Sequence, residues 1–113
     1  MDMQTAELAD GLLSVALTGR LDTQGVTEIE TRFTASIVPR GTRAVVDLSQ
    51  VTFCGSLAIR MFISVARAVA KRNGKLVLFA PQPLVNQVFE TVSLGELVPI
   101  QPDLPSATAA ARA

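Results

Sequence analysis

Four side chains have types and positions that could do chemistry: Asp22, Asp47, Cys54 and Ser56. Each needs a partner. The chain contains no histidine, which removes every Ser–His–Asp or Cys–His pair and every histidine metal ligand. Cys54 stands in Phe53-Cys54-Gly55-Ser56, ahead of a predicted helix. A thiol at a helix N-terminus can be acidified, but this one precedes the helix by two residues, and a small buried apolar residue is the simpler reading. A dyad of Ser56 with Lys71 or Lys75 is disfavoured, because both lysines belong to the far end of that helix. Asp22 and Asp47 follow or end predicted strands, where ligand sites of α/β folds gather. Two acids at neighbouring strand ends could hold a metal or work as an acid–base pair; more often such acids cap helices and loops. A small-molecule pocket would have to be built from Asp22, Asp47, Ser49, Thr52 and Ser56. No glycine-rich phosphate loop exists, and neither a catalytic residue nor a metal site nor a cofactor is expected.

Composition narrows the classes further. At 113 residues the chain reads as one domain, 1–113, with 49% hydrophobic and 18% charged residues. Ten basic and ten acidic side chains cancel, so net charge offers no case for gripping nucleic acid or an anionic membrane. One cysteine excludes an internal disulfide, and the absence of Trp and Tyr leaves only five Phe for stacking. Residues 1–10 carry acids and no basic n-region, which does not read as a signal peptide. Arg60, Arg67, Lys71 and Arg72 interrupt the longest apolar candidate for a membrane span. A cytoplasmic protein without membrane insertion is the expectation, a monomer or weak homodimer.

The elements that must position these residues follow from periodicity. Leu13, Val15 and Leu17 alternate with Ser14, Ala16 and Thr18, predicting a strand over 12–18. Asp10-Gly11 marks a hairpin turn, with 3–9 as the partner strand. Val26, Ile29, Phe33 and Ile37 predict a helix over 23–38, capped by Asp22 or Thr23. Ala44-Val45-Val46 predicts a central strand over 43–48, followed by a loop over 49–55. Ala58, Met61, Phe62, Val65, Ala66 and Val69 predict the best helix, 56–72, with Ser56 as N-cap and Asn73-Gly74 as its stop. A strand over 75–80 and a helix over 84–92 follow, the helix with Leu84, Val85, Val88, Phe89 and Val92 facing in. A last strand is expected over 97–100. Residues of about 104–113 form a terminal helix or a frayed tail. The fold class is α/β: a mixed sheet with an N-terminal hairpin, covered by three to four helices.

The junction at residue 56 presents free amides and the positive end of a helix dipole. A phosphate on a serine there would be stabilised locally and would add nearly two negative charges to a docking surface. The plain alternative is a capped helix.

Three segments together resemble a STAS domain, the domain of bacterial anti-sigma factor antagonists and of sulfate-transporter tails. Gly19-Arg20-Leu21-Asp22 matches its G-x-L-D. Asp47-Leu48-Ser49-Gln50-Val51-Thr52-Phe53 matches D-L-S-x-V-x-F, and Asn73-Gly74 precedes a strand as in the family. The resemblance covers nearly the whole chain. It implies that the second hydroxyl residue of the D-S-[S/T]-G segment is phosphorylated by a cognate anti-sigma kinase, and that phosphorylation ends binding.

This sequence departs there. Alignment on Phe53 puts Gly55 at the acid, Ser56 at the first serine, Leu57 at the phospho-acceptor and Ala58 at the glycine. Ser56 lies one residue short, a rotation of about 100° on a helix. The resemblance therefore implies a partner-binding surface made of Asp22, Gly55, Ser56, Leu57 and Arg60, with Met61 as a further contact and Asp22 offering an acid to a basic partner. Its partner would be an anti-sigma factor or serine kinase of ATPase fold, bound without a phospho-release step. Ser56 is the alternative acceptor. Two other roles stay open: a STAS subunit bracing the ATPase of an ABC-type phospholipid transporter, and a small-molecule-sensing STAS domain.

Overall fold

A computed structural model describes all 113 residues. Five strands lie in the order β1-β2-β3-β4-β5, the order of the chain. They are β1 (Asp2–Glu7), β2 (Leu13–Leu21), β3 (Arg43–Cys54), β4 (Lys75–Phe79) and β5 (Ile100–Gln101). β1 runs antiparallel to β2, and the other pairs are parallel. The helices are α1 (Thr23–Ile37), α2 (Ser56–Ala70), α3 (Pro83–Thr91) and α4 (Leu104–Arg112). This is the mixed α/β sheet with an N-terminal hairpin that the periodicity predicts. No helix is long and apolar enough to cross a membrane.

The hairpin is not closed by a two-residue turn. Ala9–Gly11 forms a 3-10 turn in which Asp10 (φ 64°) and Gly11 (φ 74°) are both left-handed, and the Leu8 amide donates to the Leu12 carbonyl at 2.7 Å. Aspartate and glycine tolerate that region better than other residues, which is why this pair sits there.

The helices divide between the faces of the sheet. α1, α2 and α3 pack on one, where Phe33 of α1 meets Phe62 of α2 edge-to-face at 5.8 Å between centroids. Such a pair adds about 1 kcal/mol to the burial of the two rings. The other face carries a smaller core of Leu12, Val45, Val77 and Phe79, closed by Ala107 and Ala111 of α4. The alanine-rich end is thus a packed helix. Asp103 caps it by accepting the Ser106 amide at 2.9 Å, and Arg43 donates to the Ala111 carbonyl from β3.

Two expectations are corrected at the strands. The predicted loop over 49–55 is strand: β3 continues to Cys54. Its alternation is broken because the register with β2 slips twice, between Ala16/Thr18 and between Gly19/Arg20. Each slip gives β3 an extra residue and reverses which face the next side chain meets. Val46 and Leu48 point into the main core, then Val51, then Cys54, a spacing of two, three and three. Gly19, at φ 121°, supplies the backbone freedom at the second slip. The predicted last strand over 97–100 is also displaced: Leu94–Glu96 is a 3-10 turn and β5 holds only Ile100 and Gln101.

Candidate functional site

The extension of β3 brings two strand-to-helix junctions side by side. β2 ends at Leu21 and β3 at Cys54, which are register partners, and the Gly55 amide donates to the Leu21 carbonyl at 3.0 Å. α1 and α2 therefore begin next to each other, at the carboxyl ends of neighbouring parallel strands.

The first junction is closed by a side chain. Asp22 is the N-cap of α1, and its Oδ1 accepts the Gly25 amide at 2.8 Å. That hydrogen bond, with the Arg20 guanidinium nearby, holds its carboxyl below the usual carboxylate range. Arg20 Nε lies 3.6 Å from Asp22 Oδ2. The same guanidinium sits over the Phe53 ring, 4.6 Å from its centroid. Arg20 and Phe53 are register partners on β2 and β3, so the stack follows from the second slip.

The second junction is open. Ser56, predicted as N-cap, is instead the first residue of α2, and the cap position belongs to Gly55, which has no side chain to accept a hydrogen bond. Gly55 adopts an ordinary extended backbone, φ −94° and ψ −177°, which any residue could take. The Ser56 hydroxyl is exposed and makes no hydrogen bond. Leu57, the second helical residue, is 37% exposed, and Arg60 is exposed one turn on. Met61 is corrected: it is 2% exposed and belongs to the core, so it cannot touch a partner.

The remaining candidates separate. Asp47 lies in the middle of β3, opposite Ala16 of β2, and its Oδ1 accepts the Ser49 amide at 2.9 Å. Asp22 lies six residue steps along the chain from Ala16, about 20 Å at strand rise, so the two acids form neither a metal site nor an acid–base pair. Cys54 is 3% exposed, and burial pushes its thiol up to about 12, the opposite of an activated nucleophile.

One part of the surface escaped sequence reasoning. Of the five apolar residues of the 84–92 helix, only Val85 and Phe89 are buried. Leu84 is 74% exposed, with Val88 and Val92 also open. A nine-residue helix lying against a sheet buries one narrow stripe, and here the apolar residues are too many for it. With Thr52, Phe53 and Cys54 they line an open groove of about 450 Å³ beside the second junction. The excess of apolar residues in so short a helix was the available signal.

These features meet what a family model matches. Residues 3–107 fit the STAS domain. The chain belongs to the STAS domain family. A STAS relative, BtrV of Bordetella bronchiseptica, bears a name that places it among anti-sigma factor antagonists; it is 27% identical over 106 residues, covering 94% of this chain and 91% of its own. An anti-sigma factor antagonist from Mycobacterium paratuberculosis has the same fold, with a TM-score of 0.84 at 24% identity, covering 99% and 96% of the two chains. The anti-sigma factor antagonist SpoIIAA of Bacillus, in its unphosphorylated form, superposes with a TM-score of 0.76 at 18% identity over 98% and 96%.

Proposed function

We propose that this STAS chain is a regulatory binding module of the anti-sigma factor antagonist type, not an enzyme. It docks an anti-sigma factor with a serine-kinase ATPase fold through the open junction of Gly55, Ser56, Leu57 and Arg60, with Asp22 beside them. The observation that carries the reading is Leu57: an apolar side chain, 37% exposed, in the first turn of α2 where the family places its phospho-acceptor. A leucine cannot take phosphate, so release by phosphorylation at this position is lost and docking is constitutive. Phe53 and the groove along α3 add further apolar surface beside this junction. Asp22, its Oδ1 committed to the helix cap and its Oδ2 already 3.6 Å from Arg20 Nε, offers a basic partner an oxygen shared with that guanidinium.

The name of the relative BtrV supports an anti-sigma factor as the partner. Catalysis has no support in the side chains, since Asp47 is held by the Ser49 amide of its own strand and Cys54 is buried and protonated. The test is capture from native lysate with wild type and with Leu57→Asp, which puts a negative charge where the family carries phosphate. Wild type recovers an ATPase of the histidine-kinase fold, and the variant recovers it at least about tenfold less, as expected when an interface anchor is lost. Recovery of an ABC-transporter ATPase, or equal capture by both proteins, overturns the reading. Ser56 is addressed separately: after incubation with the recovered kinase and ATP, the intact mass is unchanged.

A further inference from the structure

The zero net charge conceals an uneven distribution. From Leu48 to Phe89 the chain carries five bases and no acid. Three of those bases, Arg60, Arg67 and Lys71, are exposed and share one face of α2 with Ser64, at spacings of four, three and four residues. None makes an ion pair; the pairs in the molecule use the N-terminus, Arg20, Arg40 and Arg112. Arg72 is turned aside and donates to the Pro39 carbonyl at 3.2 Å. No acid of the neighbouring α1 pairs with the stripe, and Glu28 is held by the N-terminal ammonium at 3.0 Å. Between the three bases runs a shallow groove of about 330 Å³, floored by Ile63, Ser64 and Ala68.

We propose that this stripe is a docking track for an acidic helix of a partner protein, continuing from the Leu57 corner along α2; the inference rests on the reading that a polypeptide docks at that corner. Residues 60 to 71 span about 16 Å of helix axis, enough for three turns of a partner helix with carboxylates at the matching spacing. Ser64 and Ala68 are small enough for that helix to approach closely, Ile63 gives it an apolar contact, and the three cations have no carboxylate of their own to displace. Three cations are too few, in a neutral chain without Trp or Tyr, to hold a nucleic acid backbone. They also fall short of the clusters of about four to eight bases that attract an anionic membrane.

The full chain, labelled with nitrogen-15, is titrated with a synthetic helical peptide bearing glutamates along one face. The amide shifts are expected on residues 60–71, and affinity is expected to fall about tenfold in Arg60→Glu/Arg67→Glu/Lys71→Glu. It should weaken likewise as salt rises, because exposed charges are screened. All three positions are exposed, so circular dichroism should show an intact fold; Arg67→Ala/Lys71→Ala gives a milder version with the same direction. Absence of shifts on α2, equal binding by the reversed variant, or tighter binding to phosphatidylserine vesicles or to a DNA duplex overturns the inference. The captured ATPase separates this from the corner reading. A partner sensitive to Leu57→Asp but indifferent to Arg67→Glu/Lys71→Glu, which leaves the corner residues untouched, overturns only the track.

Discussion

The two strand-to-helix junctions at this end of the sheet share a backbone plan and are closed in opposite ways. At Leu21–Asp22–Thr23 the first free amides of α1 are met by the Asp22 carboxylate, and Gly25 is packed so tightly that an added Cβ would overlap the Arg20 carbonyl oxygen. At Cys54–Gly55–Ser56 no side chain meets the amides of α2, and an added Cβ on Gly55 would find the Phe53 ring edge at 3.3 Å, a contact a ring can yield. The first junction is a sealed structural corner. The second leaves its amides, its hydroxyl and its leucine to whatever approaches from solvent.

The largest effect that would break this contrast concerns Cys54, at the base of the open junction. A thiol raised to about 12 by burial stays protonated at pH 8. Against a free cysteine near 8.5, alkylation of the folded protein should be about a thousandfold slower than that of the unfolded chain. The burial favours folding below about pH 8.5, and that advantage is lost as pH rises towards 12. Rapid alkylation of native protein would mean that the open junction unfolds locally, and its exposure would then be no fixed docking geometry.

Next is the glycine pair. Gly25→Ala should destabilise by about 2–3 kcal/mol, because backbone must move to admit the methyl group. Gly55→Ala should stay within about 0.5 kcal/mol. Urea denaturation measures both, and equal costs would dissolve the distinction between the junctions.

A smaller effect is tied to pH. Asp22 titrates below its unfolded value because the Gly25 amide and then Arg20 favour its charged form. It therefore contributes stability above about pH 4 that is lost as pH falls through its folded value. Asp103, held low by the Ser106 amide, behaves the same way. Asp22→Asn should shrink the loss of melting temperature between pH 6 and pH 3, and an unchanged acid profile would remove the cap from the account.

Last, Gly55→Asp should restore a side-chain cap to α2 and stabilise it by a few tenths of a kcal/mol. Thermal melts at neutral pH check the sign. A loss of stability would show that the Phe53 ring cannot give way.

Much of this was legible from one-dimensional pattern, and the failures are local. The 3.6-residue spacing of Val26, Ile29, Phe33 and Ile37 and of Ala58, Met61, Phe62, Val65 and Val69 placed α1 and α2 within two residues. Asp22 as a cap was readable because Asp at the edge of an apolar period has that role. β3 beyond Leu48 was not readable, because two slips against β2 erase the alternation that marks a strand. The position of Ser56 turned on a single residue of helix boundary, which sequence patterns resolve poorly. For α3 the apolar residues were visible, but not that only Val85 and Phe89 would find the sheet.

By itself, then, the order of residues determined the alternation of strands with helices, the chemistries that lack a histidine, and the leucine at position 57. These depend on local periodicity and on residue identity, which need no partner in space. Tertiary structure alone decided that Leu21 and Cys54 lie side by side, that Arg20 stacks on Phe53, that α4 covers the second face, and that Leu57 and not Met61 meets solvent. Those outcomes depend on strand register and on which face each helix buries, and both are settled by contacts between residues far apart in the chain.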